Sequence, residues 1–260
     1  MDKKLTKRPS RIVVKLGTNL LTGGKDALDI ATIGSIFAQI ASVKSSGVEV
    51  VIVSSGAVAA GLESLARTPR KNKLQRGTVA YRQTLAALGQ PQLMMTFAQL
   101  FANHDVEVAQ ALISRGDLQS RSRYINVRNT LDALLAIGAI PIINENDVVA
   151  VEELAGEVYG DNDRLSAMVA NTVDADLLIL LGDMDGLHTT DPHIDPNSEL
   201  ISVVDKIDQS IENSARGPHD LQGSGGMASK LEAARLSIDS GIPMVIASGR
   251  IDGVIKSICN

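Results

Sequence analysis

The amino-acid sequence predicts a doubly wound α/β sandwich, in which helices cover both faces of a central sheet. Two observations carry that prediction. Short β-branched runs alternate with segments of helical periodicity along most of the chain, and several runs are apolar at every position. Strands buried beneath helices on both sides read in this way, and their ligands bind beyond the carboxyl ends of the strands.

In chain order, the predicted strands cover residues 12–16, 48–53, 106–113, 139–143, 177–181 and 242–247. Between the first two, Ile30, Ile33, Phe37 and Ile40 recur at helical spacing. Val127, Leu131, Leu134 and Leu135 mark a second helix, Leu165, Met168, Val169 and Thr172 a third, and Leu231, Ala234 and Ile238 a fourth. The polar stretch 67–73 reads as a surface loop whose charges are solvated, and residues 189–197, with two prolines, read as another. No internal repeat or low-complexity linker divides the chain, and its 260 residues suffice for one large domain or two small ones.

Composition narrows the function classes. A net charge of −5, three Phe, three Tyr and no Trp offer neither the electrostatic nor the stacking surface for nucleic acid. Cys259 is the single cysteine, which excludes an intramolecular disulfide framework and a multi-cysteine metal site and fits a reducing cytoplasm. No segment is long and apolar enough to span a membrane. The basic residues 1–11 lack the apolar run of a signal peptide, because Lys15 interrupts the apolar segment directly after them.

The most informative stretch is Gly223-Ser-Gly-Gly-Met-Ala-Ser-Lys230, directly ahead of the fourth helix. Glycines at a helix N-terminus let an anion approach unpaired N–H groups at the positive end of the dipole, so the stretch reads as a phosphate-binding turn. It is not a P-loop, since Ser229 precedes Lys230 and Leu231 succeeds it. The relaxed dinucleotide fingerprint Gly223-x-Gly225-x-x-Ala228 is satisfied, but residues 218–222 do not read as the strand it requires, which weakens a nicotinamide-dependent oxidoreductase. Taken alone, a solvent-exposed linker explains the stretch equally well.

Four further motifs bear on that choice. Lys15-Leu-Gly-Thr18 puts a lysine inside an apolar strand, which argues for an anionic ligand to offset the cost of burial; a lysine snorkelling from an edge is the alternative. Ser54-Ser-Gly-Ala57 repeats the pattern of strand, small turn and helix, which serves either an anion or close helix packing. Asn144-Glu-Asn-Asp147 comes directly off a strand and Gly160-Asp-Asn-Asp163 precedes a helix. Either could be a simple cap or turn.

In this order, the five motifs resemble the amino acid kinase family, and within it the members that phosphorylate glutamate. The similarity runs from the first strand to the last. It implies a three-layer αβα sandwich with a mainly parallel sheet, formed by a single domain over 1–260 whose N-terminal half mainly binds the acceptor and whose C-terminal half mainly binds ATP. The implied reaction is transfer of the γ-phosphoryl group of ATP, with Mg2+, to the side-chain carboxylate of L-glutamate, the first step of proline synthesis. Lys15 and Lys230 would act on the transferring group and Asp163 would hold them. Ser55, Asp147 and Asn162 correspond to glutamate-binding positions. Lys15, Gly182, Asp183 and the run Ser224, Gly225, Gly226, Met227, Ala228, Ser229 and Lys230 correspond to nucleotide-binding positions. The resemblance further implies a homo-oligomer inhibited by proline, with no nucleic-acid or membrane partner.

The residue chemistry agrees. A carboxylate acceptor is already ionised at pH 7, so the site needs no general base, and cations and alignment carry the reaction. Asp147 suits a free α-ammonium group better than an acylated nitrogen, which favours glutamate over N-acetylglutamate. Acceptors of the sister kinases, aspartate or a nucleoside monophosphate, are the alternatives. Gly182 departs from the threonine common in the family. Many bacterial relatives continue into a C-terminal PUA domain, which is not expected in this chain.

Overall fold

The computed structural model describes residues 7–69, 74–149, 162–192, 194–215 and 226–260. Its six-stranded sheet is built from β1 (Arg11–Leu16), β2 (Glu49–Ser54), β3 (Val108–Ile113), β4 (Ile140–Glu145), β5 (Leu177–Gly182) and β8 (Met244–Ser248), in the order β3-β4-β2-β1-β5-β8. Every neighbouring pair is parallel. All six predicted strands are therefore present, with ends shifted by one or two residues. One shift matters: β4 runs on to Glu145, so the polar cluster at 144–147 begins inside the strand rather than after it.

Alternation along β1 assigns the two faces. Ile12, Val14 and Leu16 point into a core shared with α1 (Thr18–Thr22), α2 (Ile30–Ser45), α3 (Ala57–Ala66), α4 (Val79–Ala102) and α10 (Val254–Cys259). Val13 points into the opposite core with α5 (Arg115–Gln119), α6 (Arg121–Ala136), α7 (Asn162–Thr172) and α9 (Met227–Asp239). Lys15 is in phase with Val13 and so lies on the face covered by α7 and α9. The chain's three phenylalanines all sit in the first core, where Phe37 stacks on Phe101 (centroids 4.1 Å apart) and meets Phe97 edge-on (4.8 Å). No described helix is long and apolar enough to cross a membrane.

The 24-residue α4 is absent from the sequence expectation, and its own residues explain why. Gly89 and Pro91 lie inside it and read as helix breakers. Gly89 is needed because α3 and α4 cross at backbone contact: a Cβ there would lie 1.8 Å from the Ala57 carbonyl oxygen, and one on Gly61 1.9 Å from that of Leu85. The helix starts on a true cap, with the Thr78 hydroxyl accepting from the Tyr81 N–H at 3.1 Å.

Beyond β5 the chain forms a short antiparallel ribbon of β6 (Leu187–His188) and β7 (Leu200–Ile201), spanned by the predicted loop. Leu187 packs with Leu231 of α9 and Ala215 at the end of α8 (Gln209–Ser214), a satellite core beside the sheet.

Candidate active site

The carboxyl ends of β1, β2, β4 and β5 converge on one crevice. β1 gives way there to Gly17, whose N–H donates to the Leu181 carbonyl at 3.0 Å, while Gly56, at φ 95°, turns the chain from β2 into α3. Only glycine adopts that backbone conformation without strain. The residues expected to act on the phosphoryl group meet here. Asp163, 1% exposed, sits in the first turn of α7 and faces both predicted lysines. Its Oδ1 is 2.5 Å from Lys15 Nζ and its Oδ2 is 3.3 Å from Lys230 Nζ. Ser229 Oγ donates to the same Oδ2 at 2.7 Å.

Burial by itself would raise the Asp163 carboxyl, but the Lys15 and Lys230 ammonium groups and the hydrogen bonds from Lys15 and Ser229 outweigh it and hold the group below its ordinary value. Asp163 is thus an anion, and it keeps two cations side by side against their mutual repulsion. Lys15 is buried, as its place in an apolar strand predicts, but the anion beside it is Asp163 of the protein itself rather than the ligand that its burial suggested.

One residue earlier, Asn162 belongs to a different network. Its Nδ2 donates to the Ser54 carbonyl (2.9 Å), Ser55 Oγ (3.0 Å) and Asn144 Oδ1 (3.3 Å). Asn144 passes the chain on to Gln90 Oε1 of α4 at 2.9 Å, and its own Oδ1 also accepts from the Glu145 N–H. Four elements are locked together by buried amides, which fixes their relative positions more firmly than apolar contact would. Asn162 Oδ1 is buried and accepts no hydrogen bond among the described residues.

Ser55, Asn144, Glu145 and Asn162 line a cavity of about 490 Å3. Ser55, Asn162 and Asp147, the three predicted acceptor contacts, all lie on its wall, together with the start of α3, Glu145, and the basic residues Lys25 and Arg82. Arg115 of α5 lies 3.9 Å from Glu145 and offsets its charge. Gln83 Nε2 donates to the Val148 carbonyl at 3.5 Å and so ties α4 to the turn that carries Asp147. Sequence reasoning did not single out Gln90, Arg82, Lys25 or Arg115 as site residues.

The other predicted nucleotide positions stand at the end of β5 and the start of α9. Gly182 ends β5, and its carbonyl accepts from Gly249 N–H at 3.0 Å; Asp183 comes next, with Oδ2 3.4 Å from Asn19 Nδ2. Gly226 is the N-cap of α9 in extended conformation, so Met227, Ala228, Ser229 and Lys230 form the first turn of the helix, which begins inside the stretch that the sequence placed ahead of it. Ser224 and Gly225, like Gly223, Gly160 and Asp161, lie outside the described residues.

Residues 10–248 match the amino acid kinase family. This chain belongs to it. Among amino acid kinases, it is 48% identical over 252 residues to a glutamate 5-kinase of Dehalococcoides mccartyi, covering 96% of this chain and 66% of that one. It is 50% identical over 248 residues to a glutamate 5-kinase of Shewanella oneidensis (95% and 64%) and 42% identical over 258 residues to one of Pelobacter propionicus (99% and 67%). The chain thus spans about two thirds of the length of the curated relatives it matches. A solved structure of UMP kinase from Bacillus anthracis superposes with a TM-score of 0.60 at 17% identity, covering 97% of this chain and 93% of that one. That likeness concerns the fold, and it agrees with a parallel sheet flanked by helices. Membership of a kinase family removes the nicotinamide-dependent reading that the relaxed glycine fingerprint left open.

Proposed function

We propose that this amino acid kinase transfers the γ-phosphoryl group of ATP to the side-chain carboxylate of L-glutamate, forming L-glutamyl 5-phosphate as the committing step of proline synthesis. The observation that carries the reading is the pairing of Lys15 and Lys230 through Asp163, next to a cavity walled by Asp147 and Asn162. A carboxylate oxygen attacks the γ-phosphorus, the bond to the β-phosphate oxygen breaks, and ADP leaves. No proton moves, so the site needs alignment and positive charge rather than a base. Lys15 and Lys230 supply that charge, and Asp163 sets their spacing.

In this reading the N-terminal half mainly serves the acceptor and the C-terminal half the nucleotide. Gly182, Asp183 and the segment Ser224 to Lys230 are nucleotide-binding positions, and the amides at the start of α9 supply donors to the phosphates. Mg2+ travels with the nucleotide and neutralises its phosphate charge; Asp163, already held by two lysines and a hydroxyl, is assigned no metal contact. Asp147 and the open acceptor Asn162 Oδ1 suit an ammonium group, which favours free glutamate over an N-acylated acceptor or a nucleoside monophosphate.

Purified protein with ATP, Mg2+, L-glutamate and hydroxylamine should yield the γ-hydroxamate. Robust activity on another acceptor, with no glutamate-dependent hydroxamate, refutes the reading. We further propose a cytoplasmic homo-oligomer in which proline competes at the Asp147 and Asn162 contacts. Inhibition by millimolar proline that saturating glutamate cannot reverse would contradict a shared site.

A further inference from the structure

We infer that Arg82, which lines the cavity together with Lys25, is a specificity residue that receives the α-carboxylate of the acceptor. This rests on the acceptor reading above, which leaves one charge of the substrate unassigned. Free glutamate carries two carboxylates and one ammonium at pH 7. The side-chain carboxylate must face Lys15 and Lys230 to react, and Asp147 with Asn162 Oδ1 answers the ammonium. The α-carboxylate shares a carbon with the ammonium, so it falls near Asp147, where a cation stabilises it.

Among the described residues lining the cavity, the basic side chains are Arg82 and Lys25. They are not equivalent. Arg82 is half-buried in the first turns of α4, where the Thr78 cap fixes the helix start and the Gln83–Val148 hydrogen bond fastens that turn to the one carrying Asp147. A planar guanidinium on the wall of this cavity can meet a carboxylate with two parallel N–H donors. Lys25 is exposed in the turn after α1 and acts through its charge rather than through a fixed contact. Arg82 and Asp147 together then recognise the zwitterionic end of an amino acid, and the lysine cluster recognises the other end.

The test uses the full chain and two acceptors that share the reactive side-chain carboxylate, L-glutamate and its α-amide isoglutamine, both measured as hydroxamates. Wild type should prefer L-glutamate by about tenfold or more in kcat/KM, as expected for a charge-assisted pair. Arg82→Gln should erase most of that preference while leaving the KM for ATP in place. Arg82→Met, which keeps the apolar stem, repeats the measurement if the amide variant does not fold. A preference retained within about twofold in a folded, charge-free variant overturns the assignment with the glutamate reading intact. Failure of wild type to phosphorylate either acceptor overturns both.

Discussion

Replacing Asp163 with asparagine changes little in volume and removes the one anion between two cations. At an effective dielectric of about 20, a unit charge at the 2.5 Å Lys15 separation is worth about 6–7 kcal/mol of attraction, and at the 3.3 Å Lys230 separation about 5 kcal/mol. Desolvation of three charges offsets most of this. What decides the outcome is that the lysine side chains are only 8% and 14% exposed, so water cannot take over from the lost carboxylate. Removing one partner from such a buried group costs about 3–5 kcal/mol. For a chain of this size that lowers Tm by about 6–20 °C. Calorimetry at pH 7 reads the stability, and the hydroxamate assay should find kcat reduced far more than glutamate binding, because Asp163 positions the lysines rather than the acceptor. The pH dependence has a definite sign. The folded carboxyl titrates below its ordinary 3.8, so unfolding takes up a proton between the two values. The stabilisation is present above 3.8 and is lost as pH falls through the folded value. The Tm gap between wild type and Asp163→Asn should therefore narrow on acidification below about pH 4. A variant with Tm within about 2 °C of wild type and near-normal kcat would refute the clamp.

Lys15→Ala and Lys230→Ala should each lower kcat by about 10²-fold or more while the protein stays folded, as for loss of one preorganised electrostatic donor; near-normal turnover in either removes that lysine from the reaction. Asp147→Asn should raise the KM for glutamate strongly and leave that for ATP nearly unchanged, whereas equal loss of both would mark a structural turn residue. Gly89→Ala should destabilise by about 3 kcal/mol or more, because its new Cβ, 1.8 Å from the Ala57 carbonyl oxygen, meets backbone that cannot step aside without separating α3 from α4. Urea unfolding of that variant at the wild-type midpoint would show that the two helices can part at little cost.

The sheet was legible because a strand buried on both faces leaves a continuous apolar run, as residues 12–14, 50–53 and 177–181 do. Helix α4 was not, since Gly89 and Pro91 read as breakers, and the reason for Gly89 lies across the interface at Ala57 rather than in its own segment. Two-residue strands such as β6 and β7 are too short to carry a period. In the site, Lys15 and Asp163 were readable as charges set among apolar or turn residues where solvation could not be assumed. Arg82, Arg115 and Gln90 were not, because a polar residue on a helix looks the same in sequence whether it meets water or a cavity. Tertiary placement alone separates the two cases.

Asn162 and Asp163 are consecutive residues at the start of α7, yet one walls the acceptor cavity and the other sets the lysines. Successive helix positions diverge by about 100°, so a single peptide unit serves as a fixed lever between two compartments. Any substitution that resizes the pocket by moving Asn162 also swings Asp163 and detunes the cations. Variation in acceptor among proteins built on this plan is therefore least disruptive around Arg82 and Asp147, where side chains can change without dragging the lysine cluster with them. An attempt to redirect this enzyme to a different acceptor would do best to begin there and leave the first turn of α7 untouched.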